Sequence, residues 1–64
     1  MNNKLLVGVE EAAGILSLGR SKTFELVATG EIESLKVGRR RLIPVLALDT
    51  YVQRQREVQA GQPS

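Results

Sequence analysis

The chain has 64 residues and contains neither cysteine nor histidine. The first absence excludes disulfides and thiolate metal sites, and the second removes the usual metal ligand and general base. A chain this short forms one domain at most and buries only about 60% of its unfolded surface. The carboxylates have no histidine, cysteine or glycine-rich phosphate loop beside them, so we expect neither catalytic residues, nor a bound metal, nor a cofactor.

Charge is unevenly distributed along the chain. Residues 1–35 carry three basic and five acidic side chains, a net charge of −2, whereas residues 36–64 carry six basic and two acidic ones, a net charge of +4. A local basic segment on a nearly neutral chain indicates an anionic partner. No apolar run approaches the roughly 20 residues of a membrane span. Two glutamates follow the short apolar patch at the N-terminus, which argues against a signal peptide, so we expect a soluble, cytoplasmic protein with no membrane partner.

Two short helices are predicted in the first half of the chain. Val9, Ala12, Ala13 and Leu16 follow the i, i+3, i+4, i+7 spacing of one helix face and predict a first helix over 9–17. The second is predicted over 20–28, and Gly30 is placed to end it in a left-handed conformation. Its predicted inner face consists of Thr23, Phe24, Leu26, Val27 and Ala28. Gly19 provides the turn, which is short enough to make the helices cross as a helix-turn-helix.

The segment KVGRRRLIP, residues 36–44, predicts a β-hairpin. Leu35 and Val37 alternate with Lys36 as in a half-buried strand, a loop follows over 38–41, and Leu42–Ile43 form the return strand. The register is open, because Arg41 falls either at the tip or in the strand. Pro44 suits a strand end and a helix start.

A third helix is predicted over 45–55, with Leu48, Tyr51 and Val52 facing inward, and residues 56–64 are predicted to be a flexible tail. The fold class is therefore mainly α with a small β-hairpin, arranged as a winged helix-turn-helix. The predicted domain covers residues 5–55.

Basic and hydroxyl side chains cluster at two places in this layout. At the start of the second helix they can contact phosphates or base edges in the major groove of DNA. On the hairpin, arginine suits the negative potential of the minor groove. The alternatives are that Ser21 only caps its helix and that both basic segments are solvated. The candidate DNA-binding residues are Arg20, Ser21, Lys22 and Thr23 in the helix and Lys36, Gly38, Arg39, Arg40 and Arg41 in the hairpin.

The order VEEAA, GRSKTFELVATGEI, KVGRRRLIP and ALDTYV resembles the excisionase-type, MerR-like winged helix-turn-helix family over about residues 5–53. The resemblance implies double-stranded DNA as partner, nucleoid association, and a role as a recombination directionality factor. In that role several copies bind adjacent sites cooperatively, head to tail, bend the DNA and help an integrase excise a mobile element. A small MerR-like transcription regulator is the alternative. Residues 53–64 are too short for the coiled coil and ligand domain that such regulators usually add, so effector sensing is not expected.

Two further points stay open in the sequence. Val45 and Leu46 begin the third helix, whose inner face is already supplied by other residues. They either pack beneath the wing or form an apolar edge that contacts a neighbouring copy or a recombinase. A protein-binding adaptor or toxin–antitoxin partner without a DNA role is a third function, and it predicts that the hairpin arginines are dispensable.

Overall fold

The computed structural model describes residues 4–61, which form three helices and a three-stranded antiparallel sheet with strand order β1-β3-β2. This arrangement confirms the predicted fold class, a mainly helical winged helix-turn-helix. No helix in this part of the chain is long and apolar enough to cross a membrane. The elements in chain order are β1 (Leu6–Val7), α1 (Val9–Leu16), α2 (Arg20–Ala28), β2 (Leu35–Val37), β3 (Arg40–Pro44) and α3 (Val45–Ala60).

Helix α1 follows the predicted periodicity closely. Ala12 and Ala13 are buried, and Glu10 and Glu11 lie in the first turn, where carboxylates interact favourably with the helix dipole. The helix ends one residue earlier than predicted, because Ser17 adopts a left-handed conformation with φ 59°. Gly19, the residue expected to turn the chain, is instead extended with φ −67°. The turn between the two helices therefore depends on Ser17.

Helix α2 has the predicted bounds but a different inner face. Its buried residues are Thr23 and Leu26, whereas Phe24 is 48% exposed. The prediction that Phe24 and Ala28 face the core is wrong, since both are exposed. Gly30 ends the helix with φ 84°, as predicted. The turn lets the Ile32 amide donate to the Leu26 carbonyl at 3.1 Å, and it brings the Ile32 side chain into the core.

Strand β3 lies at the centre of the sheet. It pairs with β2 through Leu35↔Leu42, Lys36↔Arg41 and Val37↔Arg40, and with β1 through Leu6↔Pro44 and Val7↔Ile43. The second ladder was not predicted from the sequence. It buries Val7 against Ile43 in a core completed by residues from all three helices and the segment after α2. The members of this core are Val7, Ala12, Leu26, Ile32, Ile43 and Leu48.

Helix α3 begins as predicted, with Pro44 as its N-cap, but runs on to Ala60. The predicted flexible tail is therefore helical over most of its described part, and residues 62–64 lie outside the described residues. Leu48 is buried and Tyr51 partly buried, as expected for an inner face. Val52 was expected to face inward and is 40% exposed, so the inner face is narrower than predicted.

Gly14 and Gly30 provide a matched pair of substitutions, because a Cβ at either position would meet nothing within 4 Å. Gly14→Ala lies within α1 and should raise the free energy of unfolding by about 0.5–1 kcal/mol, since alanine is the better helix former. Gly30→Ala should lower it by about 1–2 kcal/mol, since the residue has φ 84°. Urea denaturation of both variants tests the assignment, and changes of the same sign would contradict it.

Candidate nucleic-acid interface

The N-terminus of α2 has the features of an anion-binding site. Its N-cap, Gly19, supplies no side-chain hydrogen bond, and the first turn contains no acidic residue. The first backbone N–H groups of a helix have no partner within the helix, and they point along the positive end of its dipole. Arg20, Ser21 and Lys22 are all exposed in this turn. Two cationic side chains beside free N–H groups suit a phosphate oxygen.

The basic residues of this turn are held by weak, exposed ion pairs. Arg20 lies 3.9 Å from Glu10 of α1, and Lys22 lies 3.4 Å from Glu25 one turn along α2. All four side chains are more than half exposed. Surface pairs of this kind contribute little to stability and are screened by salt. A phosphate can therefore replace the carboxylate at small cost.

Thr23 does not belong to the exposed surface of α2. Its side chain is fully buried, and its Oγ1 donates a 2.9 Å hydrogen bond to the carbonyl of Gly19. The backbone N–H of Thr23 donates to the same carbonyl at 3.0 Å. The prediction that Thr23 contacts DNA is therefore wrong. Its hydroxyl instead fixes the start of α2, which positions Arg20, Ser21 and Lys22.

The hairpin of β2 and β3, referred to below as the wing, closes with a two-residue turn. Val37 pairs with Arg40, which leaves Gly38 and Arg39 as the turn residues. Gly38 has φ 64°, and Arg39 has no positive φ. Glycine at the first turn position with positive φ is the mark of a type II′ hairpin turn, whose twist matches that of the strands. The loop predicted over 38–41 is thus shorter, and it places Arg39 at the tip.

The register settles the position of Arg41. It lies within β3 directly opposite Lys36, and its Nη1 donates a 2.9 Å hydrogen bond to Ser34 Oγ. Like charges directly opposite one another destabilise a β-ladder. Among residues 4–61, no carboxylate lies within 4.0 Å of the wing cations. No direct ion pair within residues 4–61 relieves the repulsion, and a bound anion would do so.

The wing is not anchored to the core in the predicted way. Leu35 and Val37 of β2 are 44% and 52% exposed, so each side chain is about half covered, but neither belongs to the buried core. Leu42 is partly buried and Ile43 fully buried. The wing is therefore attached through β3 alone, and β2 is held by pairing with it.

Helix α2 and the wing border common clefts, although Arg20, Ser21 and Lys22 are not among the residues that line them. A cleft of about 430 Å³ is formed by the start of α1, Phe24 of α2, and Arg40 and Arg41 of the wing. A second cleft of about 430 Å³ joins Arg41 to Phe24, Val27 and Ala28. The α2 surface and the wing thus lie on one side of the molecule.

Val45 and Leu46 differ in their surroundings. Val45 is partly buried against the core, and its N–H donates to the Leu5 carbonyl at 2.9 Å. Leu46 is 78% exposed. Val45 therefore packs against the core. Of these two residues, only Leu46 is exposed enough to contact another protein.

Comparison with known proteins places this fold in a family. A family model described as a helix-turn-helix domain matches residues 6–56. The chain belongs to this helix-turn-helix family. It is similar to a protein of Saccharopolyspora erythraea named "Probable excisionase", with 58% identity over 52 residues, which is 81% of this chain and 53% of that protein. The chain thus spans about half the length of that relative. No solved structure gives a significant match.

The charge repulsion between Lys36 and Arg41 across the wing can be measured directly. Lys36→Glu places a carboxylate opposite Arg41 and should raise the free energy of unfolding by about 0.2–1 kcal/mol. Lys36→Gln removes the repulsion without adding an attraction, so its gain should be smaller. Both gains should shrink at high salt, because screening weakens the charge interaction. Urea denaturation at two salt concentrations tests this, and a less stable Lys36→Glu variant would refute the repulsion.

Proposed function

We propose that this protein is an excisionase-like, sequence-specific DNA-binding protein. The observation that carries the proposal is that Phe24, whose ring lies 5.9 Å from the Arg20 guanidinium at the uncapped, basic N-terminus of α2, lines one cleft with Arg40 and Arg41 of the wing. The helix-turn-helix family supports DNA as the ligand, and the name of the similar Saccharopolyspora erythraea protein supports an excisionase role.

The proposed docking follows from the shapes of the two elements. Helix α2 has nine residues, a length of about 14 Å, and enters the major groove with its N-terminal turn. Arg20 and Lys22 donate to phosphates or guanine, and Ser21 contacts a phosphate or base edge. The wing tip, with Arg39 and Arg40, reaches the adjacent minor groove, where negative potential attracts arginine. Lys36 and Arg41 supply charge behind the tip.

Salt dependence provides the first test of this docking. With about five phosphate contacts, the logarithm of the binding constant should fall with the logarithm of salt concentration at a slope near −4.5. Arg40→Ala should weaken binding to all sequences and make that slope shallower by about one. Fluorescence anisotropy with labelled duplexes measures both quantities.

Arg54→Ala is the matched control for this measurement. Arg54 is an exposed arginine on α3 that lies beside Gly30, at the opposite end of α2 from Arg20. Its loss removes the same charge away from the proposed DNA surface. Equal slopes for the two variants would show that the wing does not contact phosphates.

The proposal extends to cooperative action in excision. A single module of this size buries only about 600–1,000 Å² of protein surface on DNA, which favours several copies acting on adjacent sites. We propose that copies bind direct repeats head to tail, bend the DNA and promote integrase-mediated excision of a mobile element. Footprinting across an attachment region, followed by an excision assay with an integrase encoded by the same element, tests this role. DNA binding without any effect on excision would remove the excisionase role and leave the DNA-binding function.

The exposed Leu46 provides a test of contact between copies. Leu46→Glu should leave binding to a single site unchanged and reduce cooperativity on two adjacent sites, because it places a charge in the proposed contact. Val58→Glu, an equally charged change at a residue of α3 that is 50% exposed, should leave cooperativity intact. Mobility shifts on one-site and two-site duplexes compare them. If Leu46→Glu keeps full cooperativity, the contact lies elsewhere or copies bind independently.

A further inference from the structure

Phe24 is an exposed aromatic ring on the surface of α2. Its side chain is 48% exposed, although the same helix buries Thr23 and Leu26. Successive residues of a helix lie about 100° apart, so Phe24 lies on the flank that turns away from the core. Within a surface proposed to bind DNA, an exposed phenylalanine ring can contact an apolar group of a base.

Arg20 and Phe24 form one unit on this flank. They are four residues apart, and the Arg20 Cζ lies over the Phe24 ring at 5.9 Å from its centroid, within the range of a cation–π interaction. Arg20 also lies 3.9 Å from Glu10. The guanidinium thus lies beside the ring in the free protein, positioned by two weak, exposed contacts. Ala28, one turn further on, is exposed and borders the same cleft as Phe24.

The surroundings of the ring identify the ligand. Phe24 lines both clefts between α2 and the wing, which also contain Arg41, and one of which contains Arg40. The cleft that contains Arg40 also contains Glu10 and Glu11, which are paired with Arg20 and Lys4. The wing arginines can therefore attract negative charge, and the ring can contact a small apolar group, so a ligand that offers both fits this surface. The major groove of DNA offers both, because its phosphates lie beside the C5-methyl groups of thymine, and phenylalanine and alanine side chains contact such methyls. An acidic protein surface is the alternative occupant.

We propose that Phe24 reads a thymine methyl group in the major groove, next to a guanine bound by Arg20; this inference rests on the proposed function. Four helical residues rise about 6 Å, and successive base pairs rise about 3.4 Å. The thymine read by Phe24 should therefore lie within about two base pairs of the guanine. Arg20 determines the guanine through O6 and N7, and Phe24 distinguishes thymine from the other bases.

Uracil substitution tests this directly, because deoxyuridine differs from thymidine only by the missing methyl. Binding sites are first selected from random duplexes with the full chain, and each thymine is then replaced singly by uracil. At one or two positions the wild type should bind about three- to fivefold more weakly, since roughly one buried methyl is lost. N7-methylation of a guanine within two base pairs should also block binding.

Phe24→Ala assigns the effect to the ring. This variant should bind thymine and uracil duplexes equally at the sensitive positions, and Val58→Ala should keep the full difference. Phe24→Leu keeps an apolar side chain of similar reach and should retain part of the difference in affinity between thymine and uracil duplexes. Circular dichroism melting shows whether each variant is folded. If Phe24→Ala does not fold, Phe24→Leu serves as the test.

The outcomes separate the two proposals. If the chain binds no duplex, the proposed function fails. If it binds DNA with no uracil-sensitive position, or if Phe24→Ala retains the sensitivity, DNA binding stands and the thymine assignment is overturned. If Phe24→Ala and Phe24→Leu both bind every duplex as tightly as the wild type, the ring does not face DNA, and the acidic protein surface becomes its occupant.

Discussion

The pairing register of strand β3 joins the core to the wing. Ile43 is fully buried and lies opposite Val7 of β1, while Arg41, two residues earlier on the same face of the strand, lies opposite Lys36. Side chains alternate along a strand, so a slip of one residue would expose Ile43 and turn Arg41 to the other face. Burial of Ile43 thus fixes the wing cations, and a type II′ turn at Gly38 keeps the return strand in the same register.

Helices α1 and α2 carry side chains of opposite charge in their first turns. Helix α1 carries Glu10 and Glu11 at its positive end, an arrangement that stabilises a helix. Helix α2 has the opposite arrangement, with Arg20 and Lys22 in its first turn and no side-chain cap. Its stability comes instead from packing, because Thr23 and Leu26 are buried. Arg20 and Lys22 therefore lie where they can bind a phosphate together with the helix N-terminus, although cations at this end do not stabilise the helix itself.

Much of the fold could be predicted from the sequence, because hydrophobic spacing and turn residues reveal elements that pack. The bounds of α2, the left-handed Gly30 and the helix start after Pro44 all follow from such signals. The same signals could not choose between Thr23 and Phe24, since both fall at helical spacing and only the position of the core decides between them. Phe24 was placed inside for its apolarity, yet the structure buries the smaller Thr23 and leaves Phe24 48% exposed.

Other features of the structure could not be predicted from the sequence. Strand β1 has only two residues, and it forms only by pairing with β3. The last turns of α3 lack an apolar pattern, but glutamine, arginine, glutamate and alanine favour a helix without packing. At the candidate site, the arginines could be found by their clustering. The pairing of Arg41 with Lys36 could not, because it depends on a turn two residues shorter than the predicted loop.

The wing gains little stability from burial. Strand β2 exposes Leu35 and Val37, and its three residues are held by one ladder in which two cations face each other. Neutralisation by a ligand that binds only the folded wing would remove that repulsion and shift the local equilibrium toward the paired hairpin. The same charges that weaken the free wing thus strengthen it on a polyanion. The wing and the polyanion therefore stabilise each other. Higher salt should stabilise the free wing by screening the repulsion, while it lowers the affinity for the polyanion.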